Sequence, residues 1–154
     1  MARLVERTFD DYLVSTDPDR LDVGVVHDFL HGSYWAEGIP RDIVERAIRN
    51  SLCFGVYHRN QQIGFARVVS DYATFAYIAD VFVLAPWRGR GIAKALMVEI
   101  VHHPDLQRLR RWLLGTKDAH GLYQRYGFTA PQFPERHMER TDPGIYLRMG
   151  QTAK

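Results

Sequence analysis

The residues of this chain best suited by type and spacing to do chemistry lie in Arg88-Gly89-Arg90-Gly91-Ile92-Ala93-Lys94. The run before them, Tyr77 to Leu84, reads as a buried strand, and Lys94 to Val101 reads as a helix. A loop with two glycines therefore joins a strand end to a helix start. Helix N-termini carry unpaired N–H groups and the positive end of the dipole. Glycines let a phosphate approach the backbone, and Arg88, Arg90 and Lys94 add positive charge at the same spot. The segment thus reads as a phosphate cradle. It is not a Walker loop, because no Gly-Lys-Ser/Thr follows, and it lacks the three-glycine dinucleotide spacing. A solvated Arg-Gly turn would use the same letters, so the loop alone leaves both readings open.

Other candidates are single residues. Asp80 is a carboxylate within an apolar strand, which calls for either a partner such as Arg67 or a chemical role. Ser33-Tyr34-Trp35-Ala36-Glu37-Gly38 places two aromatics beside a carboxylate, a combination that can hold an ammonium or an aromatic amine. The same aromatics can equally cap the core. Tyr72, Phe75 and Phe133 are available to an apolar pocket. His120 stands one turn before Tyr123, as a border of the site or a surface residue. Cys53, the only cysteine, lies between Leu52 and Phe54 and reads as an inert buried thiol. His102 and His103 suit the end of a helix, and no His, Cys or carboxylate spacing suggests a metal.

The elements that must position these residues follow from periodicity. Tyr12 to Val14 is a short strand. Arg20 to His31 carries apolar residues at helical spacing and stops at Gly32. A second helix begins at Pro40 with Ile43, Val44, Ala47 and Ile48 on one face. Leu52–His58 and Ile63–Val69 form a hairpin around Arg59-Asn60-Gln61-Gln62, and Phe75–Leu84 is the next strand. A helix runs from Gly91 to His103 and ends before Pro104. Arg111–Leu114 is a strand. Asp118 is the expected N-cap of a helix carrying Leu122, Tyr123 and Tyr126, with Gly127 as its C-cap. Gly144 to Arg148 is expected to be a terminal strand. The order describes a mixed α/β (α+β) domain with an antiparallel first half and a crossover helix.

With 154 residues, the chain suits a single domain spanning 1–150, and a full core needs no staples. The formal net charge is only +2, with local basic clusters at 88–94 and 108–111. Neither a signal peptide nor a membrane-spanning run is visible, so a cytoplasmic protein is expected.

At this point the chain resembles the GNAT acetyltransferase superfamily. Arg88, Gly91 and Ala93 fall on the family's acyl-CoA loop, Gln/Arg-x-x-Gly-x-Gly/Ala. Leu122-Tyr-Gln-Arg-Tyr-Gly-Phe128 matches its Leu-Tyr-x-x-x-Gly-Phe motif. The resemblance spans about residues 4 to 148 and is sharp from 75 to 128. It implies a central mixed, mostly antiparallel sheet of six to seven strands flanked by about four helices. It implies acetyl transfer from acetyl-CoA to an amine in a ternary complex, without a metal. Gly89 to Lys94, with Ile92 among them, would hold the pyrophosphate. Val81, Phe82 and Val83 would pair with the pantetheine arm. Tyr123 would be the general acid, unless it is only a core aromatic. Thr116 stands where many members carry a cofactor-contacting Asn. Asp80 and Glu37 are the candidate bases, with an Asp80–Arg67 ion pair or a water relay as alternatives. Tyr34 and Trp35 would meet the acceptor. The implied partner is a small-molecule or peptide amine, with a homodimer allowed and neither nucleic acid nor membrane. Two rivals stay open. One is a non-catalytic acyl-CoA sensor. The other is a nucleic-acid binder using Arg88, Arg90, Arg108, Arg110 and Arg111, against which the low net charge speaks.

Overall fold

The structure, a computed structural model, describes residues 2–152. Six strands form one sheet in chain order: β1 (Glu6–Phe9), β2 (Tyr12–Ser15), β3 (Leu52–His58), β4 (Gln61–Ser70), β5 (Phe75–Val83) and β6 (Arg111–Leu114). The first five strands meander antiparallel, and only β5 and β6 run parallel. A parallel pair needs a crossover. Helix α3 (Ile92–Val101) supplies it between β5 and β6. Helices α1 (Val23–His31) and α2 (Arg41–Arg49) lie between β2 and β3, and α4 (His120–Gln124) and α5 (Ile145–Thr152) follow β6.

The sheet separates two apolar clusters. Phe54, Val68, Ile78, Leu96, Met97 and Ile100 pack together on the α3 side. Val26, Leu30 and Val44 of α1 and α2 pack with Cys53, Phe65 and Phe82 on the other. Phe29 stacks on Phe82 with centroids 4.0 Å apart and planes 8° from parallel. Burial pushes the Cys53 thiol up to about 12, so it is an inert core residue at neutral pH.

Three elements differ from expectation. β1, Glu6-Arg7-Thr8-Phe9, has no apolar alternation because it is an edge strand. Its charges are paired with Arg20 and Glu99. The expected terminal strand at Gly144–Arg148 is instead the start of α5. Its short apolar run fits either state, and Tyr146 anchors the helix on the α1–α2 cluster. The first expected helix is also shorter at its start. Residues 18–20 form a separate 3₁₀ turn, and Asp22 caps α1 by accepting from Val25 N. Among the described residues, no helix is long and apolar enough to cross a membrane.

The N-terminus is tied to the end of the crossover. Arg3 grips Asp105 through its guanidinium at 2.8 Å. His103, only 1% exposed, sits 3.1 Å from the Arg3 carbonyl through Nε2 and accepts from Asp105 N through Nδ1 at 3.1 Å. A carbonyl only accepts and an amide only donates, so the ring is neutral with its proton on Nε2. Burial holds its pKa below the ordinary histidine range. The unfolded chain therefore binds more protons than the folded one near pH 6. The stability from the neutral ring is complete above about pH 6.5, the ordinary histidine value, and is lost as pH falls towards the folded pKa. Unfolding by urea at pH 7, 6 and 5 should show that slope, and His103→Leu should flatten it. The variant should also lose about 1–3 kcal/mol at pH 7 through two unpaired backbone groups. An unchanged slope would remove His103 from the pH response.

Candidate active site

The site arises where β5 and β6 part. Their ladder runs Phe75↔Arg111 to Ile78↔Leu114 and stops there. β5 continues to Val83 while the other chain turns away at Gly115. The break coincides with a bulge. Against β4 the register steps from Arg67↔Ala79 to Phe65↔Phe82, which leaves one extra residue on β5. Asp80 takes up the kink at φ 56°. The bulge also exchanges faces. Ala76 and Ile78 belong to the α3 cluster, whereas Phe82 belongs to the α1–α2 cluster. Simple alternation would place all three on one face, with Asp80 opposite Val81 and Val83.

Backbone direction follows from one hydrogen bond. Leu84 N donates to Ile63 O at 2.8 Å, so it points to β4. N–H direction alternates along a strand, which turns Val81 and Val83 towards the cleft and Phe82 towards β4. Of the expected strand triplet, Val81 and Val83 thus face the opening, and Phe82 is buried behind it. Arg88 Nε donates to Val83 O at 3.0 Å and ties the loop to this edge.

The glycine loop has the expected geometry. Gly89 and Gly91 have φ of 77° and 79°, values that L side chains rarely adopt, and Gly91 is the N-cap of α3. No atom lies within 4 Å of where a Cβ would stand on either residue, so the space above the loop is open. Arg88, Arg90 and Lys94 are exposed around it, and Arg90 rests on Trp87 at 5.1 Å. Ile92 is buried and Ala93 half-buried, so these two offer the site main chain.

A cavity of ≈ 420 Å³ opens beside the bulge. One wall is apolar, from Val26, Leu30, Ile39 and Val44; Thr116 and Tyr123 face it from the β6–α4 side. Asp80 stands at the rim with its side chain 11% exposed. Arg67 Nε donates to one carboxylate oxygen and Trp35 Nε1 to the other, each at 2.8 Å. Arg67 in turn donates to Ser51 Oγ at 3.2 Å. The Asp80–Arg67 pair is therefore present, and Trp35 completes it from the loop above.

Tyr123 is 8% exposed and lines the cavity. Burial, with a smaller effect of nearby Tyr34, raises its pKa, so the phenol stays protonated at neutral pH. Its helix is short but braced at both ends. Thr116 Oγ1 accepts from Ala119 N at 3.0 Å in the turn that leads into it; no side chain caps its start, and Asp118, the expected N-cap, lies exposed at the cavity instead. At the other end Gly127 N bonds Gln124 O and Phe128 N bonds Tyr123 O, a Schellman closure with Gly127 at φ 90°.

Tyr34 and Trp35 both line the cavity and pack edge-on at 5.1 Å. Lys117 Nζ lies 5.2 Å over the Tyr34 ring, so the α1–α2 loop meets the β6–α4 loop across the mouth. Glu37 is exposed and does not line the cavity, because the chain turns it outward between the buried Ala36 and the half-buried Gly38. Tyr72 and Phe133 are also elsewhere, and His120 is exposed. The residue that sequence reasoning missed is Tyr146, which reaches the cavity from α5. The packing of Leu147 on Gly38, at φ 81°, helps place that helix over the loop. Among the described residues, no cluster of three His, Cys, Asp or Glu side chains can hold a metal.

The family model for the acetyltransferase (GNAT) domain matches residues 49–130. A protein of Gibberella zeae whose name assigns it to the acetyltransferases, FG08082, is 33% identical over 138 residues, covering 75% of this chain and 77% of its own. A crystal structure from Xanthomonas campestris pv. campestris, described as belonging to the GNAT family, is 56% identical with a TM-score of 0.88. It covers 90% of this chain and 99% of that one. A GNAT family acetyltransferase from Elizabethkingia anophelis, solved with acetyl-CoA bound, shares the fold at a TM-score of 0.62 and 15% identity, over 88% of this chain and 92% of that one. The two motifs, the parted strands and the 56% identical structure agree, and the chain belongs to the GNAT acetyltransferase family.

Proposed function

We propose that this protein moves an acetyl group from acetyl-CoA to a small primary amine. The observation that carries the reading is the unpaired length of β5. From Ala79 to Val83 it links the 88–94 loop to the cavity that Tyr123 lines. That edge presents the Val81 and Val83 amides, which suit the amide chain of pantetheine as an added strand would. The left-handed Gly89 and Gly91 and the first turn of α3 suit a pyrophosphate, with Arg88, Arg90 and Lys94 around it. The fold also holds acetyl-CoA in the Elizabethkingia protein.

Within that frame each residue has a task. The amine nitrogen attacks the thioester carbon, the C–N bond forms, and the C–S bond breaks. Tyr123 gives its proton to the leaving thiolate. The proton shed by the amine leaves through water and restores the phenol. A strand N–H at the bulge stabilises the developing oxyanion. Asp80 already accepts from Arg67 and Trp35, so we assign it to positioning those groups. Glu37 lies away from the cavity and is no base in this scheme. Thr116 shapes the cofactor side by holding the turn that leads into α4. The apolar wall, with Tyr34, Trp35 and Tyr146, suits an amine with an apolar body.

Four substitutions test these assignments, with release of free thiol over an amine panel as the activity readout. Gly91→Glu puts a carboxylate and a strained backbone into the cradle, and calorimetry should show acetyl-CoA binding lost. Unchanged affinity in a folded variant would defeat the cradle. Tyr123→Phe should keep acetyl-CoA affinity and lower kcat by roughly 10²-fold. Equal loss of binding and thermal stability would show a packing residue instead. Trp35→Ala should raise the acceptor KM by about tenfold with acetyl-CoA affinity unchanged, and Glu37→Gln should change neither. Tight acetyl-CoA binding with no thiol release for any amine would replace transfer by sensing.

A further inference from the structure

The outer edge of β6 carries a second recess, lined by other residues than the cavity. Among the described residues β6 closes the sheet and has β5 as its one strand partner, so its other side presents N–H and C=O groups outside the ladder. The chain returns alongside it at Thr129–His137 without forming a ladder. Between the two lies a slot of ≈ 670 Å³. Four arginines line it, Arg108, Arg110, Arg111 and Arg136, and no carboxylate does. Among the described residues none of these four takes part in an ion pair. The opposite edge of the sheet differs. There Arg7 faces Glu99 at 3.6 Å and Glu6 holds Arg20 at 2.6 Å.

Two of the slot arginines are held by weak substitutes for a carboxylate. Arg111 Nη2 meets His137 Nε2 at 2.8 Å, so a neutral imidazole stands where a carboxylate would bind more strongly. Arg136 stacks over Phe133 at 3.7 Å. Arg108 sits at φ 62°, a backbone conformation unfavourable for its type, at the start of the slot. Trp112 and Phe128 pack edge-on at 6.3 Å and supply an apolar wall. Tryptophan and arginine are the side chains that dominate binding energy at protein interfaces.

We propose that this edge binds an extended acidic peptide segment of a partner protein, added to the sheet as a seventh strand. The open backbone of β6 supplies main-chain pairing, the arginines take carboxylates on one face, and Trp112 with Phe128 takes apolar side chains on the other. A nucleic acid offers no main chain to continue the ladder. A second copy of this chain would bring four arginines against four. The slot shares no lining residue with the 420 Å³ cavity and none with the 88–94 loop, so docking leaves acetyl-CoA binding free.

The test uses a labelled octapeptide of alternating Glu and Val, titrated with the whole protein at 0.15 M salt and read by fluorescence anisotropy. Saturable binding is expected, weaker at higher salt, with a Lys–Val peptide inert. The same peptide N-methylated at alternate residues should bind about tenfold more weakly, because strand pairing is blocked. The double variant Arg108→Glu/Arg110→Glu should bind about tenfold more weakly as well, with acetyl-CoA affinity unchanged as the check on folding. No binding of the acidic peptide overturns the proposal. So does indifference to N-methylation, which would mean charge alone. Tighter binding of an eight-nucleotide single-stranded DNA, or a dimer in sedimentation that the double variant dissociates, would assign the edge to another occupant.

Discussion

Everything at the active site depends on a ladder that stops. β5 and β6 pair over four registered positions and then part, leaving five residues of β5 without a neighbour on that side. Unpaired backbone inside a fold is costly unless something meets it. Here the protein meets one group itself, the Val83 carbonyl, through Arg88. The remaining polar edge is the feature that makes a chain of amides a natural occupant. The bulge at Asp80 sets where this begins. It shifts the alternation so that Phe82 leaves the α3 side and stacks on Phe29, which anchors α1 against the sheet. One residue in a left-handed conformation thus opens the cleft and secures its far wall.

The strain at that residue is offset by its own side chain. Asp80 is mostly buried, and its two oxygens accept from Arg67 on the neighbouring strand and from Trp35 on the loop above. Stripping one partner from a buried pair costs about 3–5 kcal/mol, although partial exposure of Arg67 and Asp80 lowers that figure here. The pair is better understood as a register device than as a source of net stability. It joins β4, β5 and the α1–α2 loop at one point, beside the bulge.

What was legible in the sequence follows from how local each signal is. The glycine loop, the crossover helix and the hairpin are written within short windows by periodicity and turn chemistry, and they stand where expected. Gly127 shows in one letter the left-handed closure that fixes Tyr123. The pairing of Asp80 with Arg67 was visible because a carboxylate in an apolar strand demands a partner. Other features depend on distance in sequence. β1 hides because an edge strand carries charge instead of alternation. α5 was misread because Ile145-Tyr146-Leu147 suits either period, and its helical state rests on docking to Gly38, over a hundred residues away. Tyr146 was invisible for that reason. Glu37 had a suitable side chain beside suitable aromatics, but the turn between Ala36 and Gly38 points it to solvent.

Tyr123 joins the two halves of this account. It belongs to the α3-side core and it also lines the cavity. Those roles do not compete, because the same burial that makes it a core aromatic raises its pKa and keeps its proton in place at neutral pH. Its helix has only five residues, too few to fix the side chain by propensity alone. The position is fixed from both ends, by Thr116 before it and by the Gly127–Phe128 closure after it. Phe128 then packs on both Tyr123 and Trp112, 6.1 and 6.3 Å away. Trp112 belongs to β6, so the placement of Tyr123 is referred back to the strand whose departure from β5 creates the cleft. The phenol that lines the cavity is thereby held by the element whose ending opens it.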